Sequence, residues 1–165
     1  MIRRRFKDGD IPPEVTHQEL VKKAVAYLRY RKGHSVVIAE LSTAAMEIPD
    51  AIGFKAGFST IIECKASRAD FLADQKKPFR VNPERGMGYY RYYMSLGGLL
   101  KLEEIPDKWG FIEIVKQNNM LAAHETIEPQ PFYERNQQAE ITMLVSTIRR
   151  LEISAAVFVQ QEKEE

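Results

Sequence analysis

Two short segments of the chain carry residue types that metal and phosphate chemistry use. Pro49-Asp50 comes first, and Glu63-Cys64-Lys65 follows, with Glu63 thirteen residues after Asp50. Successive side chains of a β-strand point to opposite faces of the sheet. Glu63 and Lys65 therefore share one face, whereas Cys64 points to the other face and into the core. The segment thus places a carboxylate beside an ammonium group, with a second carboxylate close by in sequence.

The residues between these two segments predict a β-hairpin. The connection is short and contains Gly57, which favours a tight turn. With the turn centred between Ala56 and Gly57, the numbers of paired residues add to 113. Asp50 then faces Glu63, with Cβ atoms about 5 Å apart. A three-residue turn without a bulge would shift the register by one residue and separate the two carboxylates.

Two facing carboxylates repel each other unless a cation lies between them. Carboxylate oxygens suit Mg²⁺ or Mn²⁺, which take one or two carboxylates together with water and phosphate oxygens. Lys65, one strand repeat beyond Glu63, would reach a metal-bound water or a scissile phosphate. The alternative is that Asp50 simply begins a strand after a proline, and that Glu63 and Lys65 form an ion pair on an exposed sheet.

The hydrophobic patterns predict a mixed α/β (α+β) domain in which helices flank a central mixed sheet. Thr16 with Glu19 fits a capping box for the first helix, and Ser67 with Asp70 fits one for the second. The stretch 79–88 is predicted to be a loop. The predicted helices cover about 16–32, 67–78 and 133–152, and the predicted strands cover 35–41, 47–54, 59–65, 91–96, 109–115 and 120–125.

This order of elements, with its PD…ExK residues, resembles the PD-(D/E)XK, or restriction-endonuclease-like, nuclease superfamily. The resemblance implies an α-β-β-β-α-β core, in which Asp50 and Glu63 bind the metal ion and Lys65 is the motif lysine. It also implies that the main-chain carbonyl of Cys64 completes the metal shell. Many members add an acid from the first helix, for which Glu19 is the candidate, although its capping box explains it equally well. Glu40 on the first strand is a further candidate acid.

A closer resemblance is to the MmcB-like branch, which is associated with DNA repair. The stretch KASRADFLADQKK (65–77) is followed by the aromatic strand RYYMSL (91–96) and then by GLL, IP and WGFIEI, in the order typical of that branch. Lys77 stands where that branch has a tryptophan, and the 81–90 loop is rich in glycine and tyrosine. These departures leave open whether the substrate is the same.

Basic residues are concentrated in two segments, although the net charge of the chain is only +1. Residues 1–32 carry nine basic and four acidic side chains, a local charge of +5, and residues 65–91 carry seven and three, a local charge of +4. Such segments favour a polyanion such as nucleic acid, or are solvated helix faces. Asp74 is predicted at the rim of the site or on a solvated face. The candidate phosphate contacts are Ser67, Lys76, Lys77, Arg80 and, beside the aromatic cluster 89–93, Arg91.

Composition and length predict one domain over residues 1–165, with a loose basic arm at 1–13 and an acidic frayed tail at 160–165. Cys64 is the only cysteine, so no intrachain disulfide forms, as expected in a reducing cytoplasm. No apolar run reaches the roughly 18 residues of a membrane span. The last helix either covers the sheet or pairs with a second copy of the chain. The sequence leaves both arrangements open.

Three functions are compatible with these observations. The first is a metal-dependent nuclease that hydrolyses nucleic acid, with DNA the expected form, in repair, restriction or mobile-element processing. The second is a catalytically inactive nucleic-acid-binding module on the same fold. The third is an unrelated α/β scaffold whose Glu63–Lys65 pair is a surface ion pair. The absence of a Gly-rich phosphate loop and of Cys/His ligand spacing argues against ATP-driven chemistry and zinc.

Overall fold

A six-stranded mixed sheet forms the centre of the protein, in a computed structural model that describes residues 15–117 and 120–152. The strands follow one another across the sheet in sequence order. The predicted arm and tail lie outside the described residues, as do Asn118 and Asn119. The strands are β1 (Val36–Ala39), β2 (Ala51–Lys55), β3 (Phe58–Lys65), β4 (Tyr90–Leu96), β5 (Gly110–Gln117) and β6 (Met120–Ile127).

Helices cover both faces of this sheet, as predicted for the fold class. The first helix continues without interruption into a π-helical turn at Tyr27–Arg31. Within the described residues, no helix is long and apolar enough to cross a membrane. The helices are α1 (His17–Ala26), α2 (Arg68–Asp74), α3 (Pro78–Val81) and α4 (Gln137–Arg150), with 3₁₀ turns at Pro83–Arg85 and Leu102–Glu104.

Strand directions change within the sheet, and this decides how deeply its centre is buried. β1, β2 and β3 are antiparallel, β3, β4 and β5 are parallel, and β6 returns antiparallel to β5. Parallel strands need crossover connections, and the helices and loops of these connections cover the faces of the sheet. Seven of the eight residues of β3 are accordingly buried. One core contains Leu20, Ala24, Ile62 and Met94 on the α1 side, and the other contains Ile61, Phe71, Tyr93, Phe111 and Met143.

The β2–β3 hairpin has the predicted register. Ile52 pairs with Ile61, and the last ladder pair joins Ala51 to Ile62. The numbers of each pair add to 113, as the turn at Gly57 requires. Gly57 has φ +91°, a backbone conformation that residues with a side chain rarely adopt. The residues next along the two strands beyond the last pair are Asp50 and Glu63.

Both predicted helix caps are present. Thr16 accepts a hydrogen bond from the Glu19 backbone N–H, and Glu19 accepts in turn from the Thr16 backbone. Ser67 accepts from the Asp70 backbone N–H at the start of α2. The predicted loop at 79–88 instead contains α3 and a 3₁₀ turn, because Pro78 at the first helical position is already restricted to helical φ.

Apolar residues recur at helical spacing in α4, which predicts that they line its buried face: Ile141, Leu144, Val145, Ile148 and Leu151. Ala139 and Met143 are buried against the sheet. Ile141, Val145 and Ile148 are 52%, 49% and 43% exposed. The predicted stripe therefore lies largely on the outer face of the helix, and the buried residues of α4 are Ala139, Glu140 and Met143.

Gly110 tests the parallel register of β4 and β5, in which it lies opposite Tyr92. A Cβ at Gly110 would lie 2.5 Å from the Tyr92 ring, and that ring is fixed by packing and by its hydroxyl hydrogen bond to Glu125. We expect Gly110→Ala to lower the free energy of unfolding by about 1–3 kcal/mol, the usual cost of overpacking. Urea denaturation measures this change. An unchanged midpoint would contradict the register.

Candidate functional site

Glu63 and Lys65 lie on one face of β3, as predicted, but in the interior. Their exposures are 2% and 6%. Lys65 Nζ lies 3.2 Å from Glu63 Oε2, so the predicted ion pair is present. The alternative interpretation, an ion pair on an exposed sheet, was therefore wrong. The reason is that β3 is a central strand with one antiparallel and one parallel neighbour, and helices and loops cover both of its faces.

A buried arginine holds three carboxylates together at this point. Arg80 Nη1 donates to Glu47 Oε1 at 2.5 Å, and Arg80 Nε donates to Asp74 Oδ2 at 2.9 Å. Arg80 Nη2 lies 2.9 Å from Glu63 Oε1, in an ion pair that lacks hydrogen-bond geometry. Burial alone would lower the pKa of Arg80, but the charges of Glu63, Glu47 and Asp74 raise it instead. The guanidinium is therefore a permanent internal cation.

Asp74 links Lys65 to Arg80. Its Oδ1 lies 3.3 Å from Lys65 Nζ and 2.7 Å from Lys77 Nζ, and its Oδ2 accepts from the Tyr93 hydroxyl at 2.8 Å. Burial tends to raise the pKa of Asp74, but Arg80 and Lys65 outweigh it and hold the pKa well below its usual value. The residue is 1% exposed, so its predicted place on a rim or a solvated face was wrong.

Asp50 lies at the more open side of the site. Its Oδ2 accepts from the Cys64 backbone N–H at 2.7 Å, and its Oδ1 lies 3.5 Å from His17 Nε2. Glu40 Oε1 lies 3.4 Å from the same nitrogen. One ligand atom from each of His17, Glu40 and Asp50 falls within 4.8 Å of the others. The structure thus gathers a third carboxylate and an imidazole around the predicted metal ligand.

The pKa of Asp50 is raised to about 6. Burial is the largest cause, and the negative charge of Glu63 is the second. The Cys64 N–H and the positive charge of Lys65 act in the opposite direction. The negative charge of Glu63 therefore makes ionisation of Asp50 more costly.

Two residues of the site were not identified from the sequence. Glu47 is 3% exposed, pairs with Arg80 and accepts the Met87 backbone N–H at 2.6 Å. It falls in a predicted strand, and no periodicity marks it. His17 reads as a surface residue. The sequence places His17 in the first turn of a capped helix, but it does not predict which strand end lies next to that turn.

The predicted nucleic-acid contacts divide into exposed and buried residues. Lys76 is exposed, Lys77 is half exposed, and Ser67 caps α2. Arg80 lies inside the site. Arg91 is fully buried: it donates to the carbonyls of Gly88, Pro83 and Gly86, and its guanidinium lies 3.9 Å from the centroid of the Phe132 ring. In this structure the side chains of Arg80 and Arg91 do not face solvent, where a phosphate would meet them.

Glu19, the candidate acid from the first helix, serves as the capping residue of α1. Its Oε2 accepts from the Thr16 backbone N–H at 2.8 Å and from the Thr16 hydroxyl at 2.9 Å. These hydrogen bonds lower the pKa of Glu19. The acid that the structure places beside Asp50 is Glu40, and the α1 residue beside Asp50 is His17.

The fold recurs in one solved structure. A protein of unknown function from Silicibacter pomeroyi, SPO1766, superposes with a TM-score of 0.59 over 85% of this chain and 92% of its own, at 20% sequence identity. This likeness concerns the fold alone. A scan against protein-family models and a search of curated proteins find no match.

The charge interaction between Asp50 and Glu63 has a measurable consequence. The carboxyl ¹³C shift of Asp50 should titrate near pH 6, and Glu63→Gln should lower this pKa, although burial, the larger cause, should keep it above its ordinary value of 3.8. Because the folded state holds the proton more tightly, this group makes the fold less stable as pH rises from about 4 to about 6. Glu128→Gln, at an exposed site outside this cluster, is the control. An Asp50 pKa that Glu63→Gln leaves unchanged would show that the carboxylates do not interact.

Proposed function

We propose that this protein is a divalent-metal-dependent nuclease of the PD-(D/E)XK type that hydrolyses phosphodiester bonds, with DNA the expected substrate. The observation that carries the proposal is the position of Asp50 and Glu63. They are the next residues along the two strands beyond the last hairpin pair, Ala51 with Ile62. Burial and then the charge of Glu63 raise the pKa of Asp50. A cation bound between the two carboxylates would offset the repulsion that Asp50 experiences from Glu63.

The donor set fits Mg²⁺ or Mn²⁺. Asp50 and Glu63 would hold the ion, and the Cys64 carbonyl would add a third oxygen. Glu40 and His17 lie beside Asp50 and extend the set. Carboxylate oxygens suit both ions, and an imidazole nitrogen favours Mn²⁺ over Mg²⁺. When bound, such an ion supplies an activated water and neutralises charge on the phosphate.

Lys65 contributes a positive charge to the same site. Burial would lower its pKa, but Glu63 and Asp74 raise the pKa above its ordinary value. Lys65 therefore remains protonated at neutral pH and is a poor base. We assign it to the phosphate: its ammonium group would stabilise the charge that develops on the phosphoryl oxygens and orient the attacking water by donating a hydrogen bond.

The second candidate function is a catalytically inactive nucleic-acid-binding module. The observation that favours it is the pairing of Glu63, whose Oε2 lies 3.2 Å from Lys65 and whose Oε1 lies 2.9 Å from Arg80. A carboxylate compensated by the protein's own cations has less need of a metal ion. The two functions differ in one property, which is whether divalent cations support cleavage.

Matched variants of Glu63 and Lys65 separate these functions. Glu63→Gln should abolish both Mn²⁺ binding and cleavage, because it removes a charged oxygen ligand. Lys65→Met should keep Mn²⁺ binding and reduce single-turnover cleavage of a mixed DNA and RNA panel by about 10²–10⁴-fold. Lys32→Met, which breaks the distant ion pair with Glu125, is the control and should cleave like the wild type. Wild-type cleavage by Lys65→Met would contradict the assignment, and a wild type that cleaves nothing would favour the binding module.

Lys76 and Lys77 are the exposed cations nearest to the site in sequence, and we propose that they contact substrate phosphates. Binding should therefore weaken with salt, and the double variant Lys76→Gln/Lys77→Gln should lower the slope of log K against log[salt] by roughly 0.7–0.9 for each phosphate that is no longer neutralised. Fluorescence anisotropy in a catalytically silent Glu63→Gln background measures the slope. Lys101→Gln/Lys108→Gln, which removes the same charge elsewhere, is the control. Equal slopes for the two double variants would rule out this surface.

A further inference from the structure

The guanidinium of Arg80 lies where three carboxylates from separate parts of the chain converge. Glu47 precedes β2, Glu63 is on β3, and Asp74 ends α2, and each has an oxygen within 2.9 Å of a different guanidinium nitrogen. All three carboxylate side chains are at most 3% exposed, and that of Arg80 is 4% exposed. Three buried carboxylates around one point are a donor set for a divalent cation. In this protein the guanidinium of Arg80 lies between the three carboxylates, where a metal ion would otherwise bind.

Arg80 is held firmly in this place. Its guanidinium carbon lies 4.8 Å from the Phe79 ring centroid and 4.9 Å from the Trp109 ring centroid. Planar guanidinium groups stack on aromatic rings and match carboxylates with their fixed donors. Two rings and three carboxylates together fix the orientation of the group. It does not act as a mobile arm that reaches out to a phosphate.

The charges around Arg80 nearly balance once its own positive charge is counted. Glu47, Glu63 and Asp74 contribute three negative charges, and Lys65 and Arg80 contribute two positive charges. Lys77, whose side chain is 45% exposed, adds its ammonium group to Asp74 at 2.7 Å. Asp50 and Glu40, on the open side, lie outside this balanced group. The negative charge left for an added cation is thus on the Asp50 side of Glu63.

We propose that Arg80 is a built-in counter-ion that fills the inner half of the site, so that the site takes one divalent cation, on the Asp50 side, and not two. This inference rests on the proposed function. Arg80 is then a positioning residue, which fixes one oxygen of Glu63 and, through Asp74, the ammonium group of Lys65. The second positive charge that a two-metal site would obtain from an ion comes here from the guanidinium.

Counting bound Mn²⁺ in the full chain tests this inference. Calorimetry, together with loss of the free Mn²⁺ signal in electron paramagnetic resonance, gives the stoichiometry. The wild type should bind one ion. Arg80→Met opens the Glu47–Glu63–Asp74 carboxylates and should bind one ion more than the wild type, whereas Arg80→Lys keeps the charge and should match the wild type. Equal stoichiometry for Arg80→Met and the wild type would overturn the proposal.

Stability provides a readout that does not depend on activity. Arg80→Met should melt at a lower temperature without Mn²⁺ and recover most of the loss at saturating Mn²⁺. Arg135→Gln, which breaks the buried pair with Glu140 elsewhere, should lose stability without recovery. The double variant Arg80→Met/Glu47→Gln removes one of the three carboxylate charges. Without Mn²⁺ it should have a higher melting temperature than Arg80→Met, and it should bind one Mn²⁺ ion, as the wild type does. An Arg80→Met protein that stays unfolded at saturating Mn²⁺, or a double variant that binds the extra ion, would count against the proposal.

The result also separates this inference from the proposed function. If the wild type binds no Mn²⁺ and Arg80→Met binds one ion, the metal-dependent nuclease fails while the counter-ion assignment of Arg80 is supported. If the wild type binds one ion and Arg80→Met binds the same number, the nuclease proposal stands and the counter-ion assignment fails.

Discussion

The structure depends on the compensation of charges that the sheet forces into the interior. Glu63 and Lys65 belong to a central strand, so helices and loops on both faces remove them from water. Isolated buried charges are costly, and only close pairing with further hydrogen bonds offsets the loss of hydration. Arg80 and Asp74 provide that pairing. The short helices after β3 therefore do more than connect β3 to β4, because they bring the counter-charges of the motif to the strand.

The same compensation gives the site two unlike halves. In the inner half, arginine and lysine neutralise the carboxylates and aromatic rings fix the arginine. In the outer half, the pKa of Asp50 is raised to about 6, because burial and the charge of Glu63 outweigh the Cys64 N–H, Lys65 and His17, which stabilise its negative charge. A bound cation is stabilised most where the protein's own positive charges compensate the carboxylates least. The outer half is therefore where the proposed metal ion and the scissile phosphate would meet.

Local rules predicted the parts of the protein that depend on neighbours in sequence. Alternation along β3, the turn at Gly57 and the caps at Thr16 and Ser67 gave the correct hairpin register and helix starts. The errors concern burial. Arg80, Arg91 and Asp74 were predicted at or near the surface because charge favours solvent. The segment after α2, which contains α3 and a 3₁₀ turn, instead brings Arg80 to Asp74 and places the Pro83 and Gly86 carbonyls on Arg91. Sequence spacing does not predict that packing. It also does not predict that His17, on α1, lies next to Asp50, which precedes β2.

The central claim is that the outer half of the site, at Asp50 and Glu63, holds a divalent cation. Crystals of the wild-type protein soaked in Mn²⁺ and measured above the manganese absorption edge test it most directly. We expect one anomalous peak within about 2–2.6 Å of an Asp50 oxygen, a Glu63 oxygen and the Cys64 carbonyl, with Arg80 still bound to Glu47 and Asp74. The absence of a peak there, or a peak only at sites away from Asp50 and Glu63, would contradict the account.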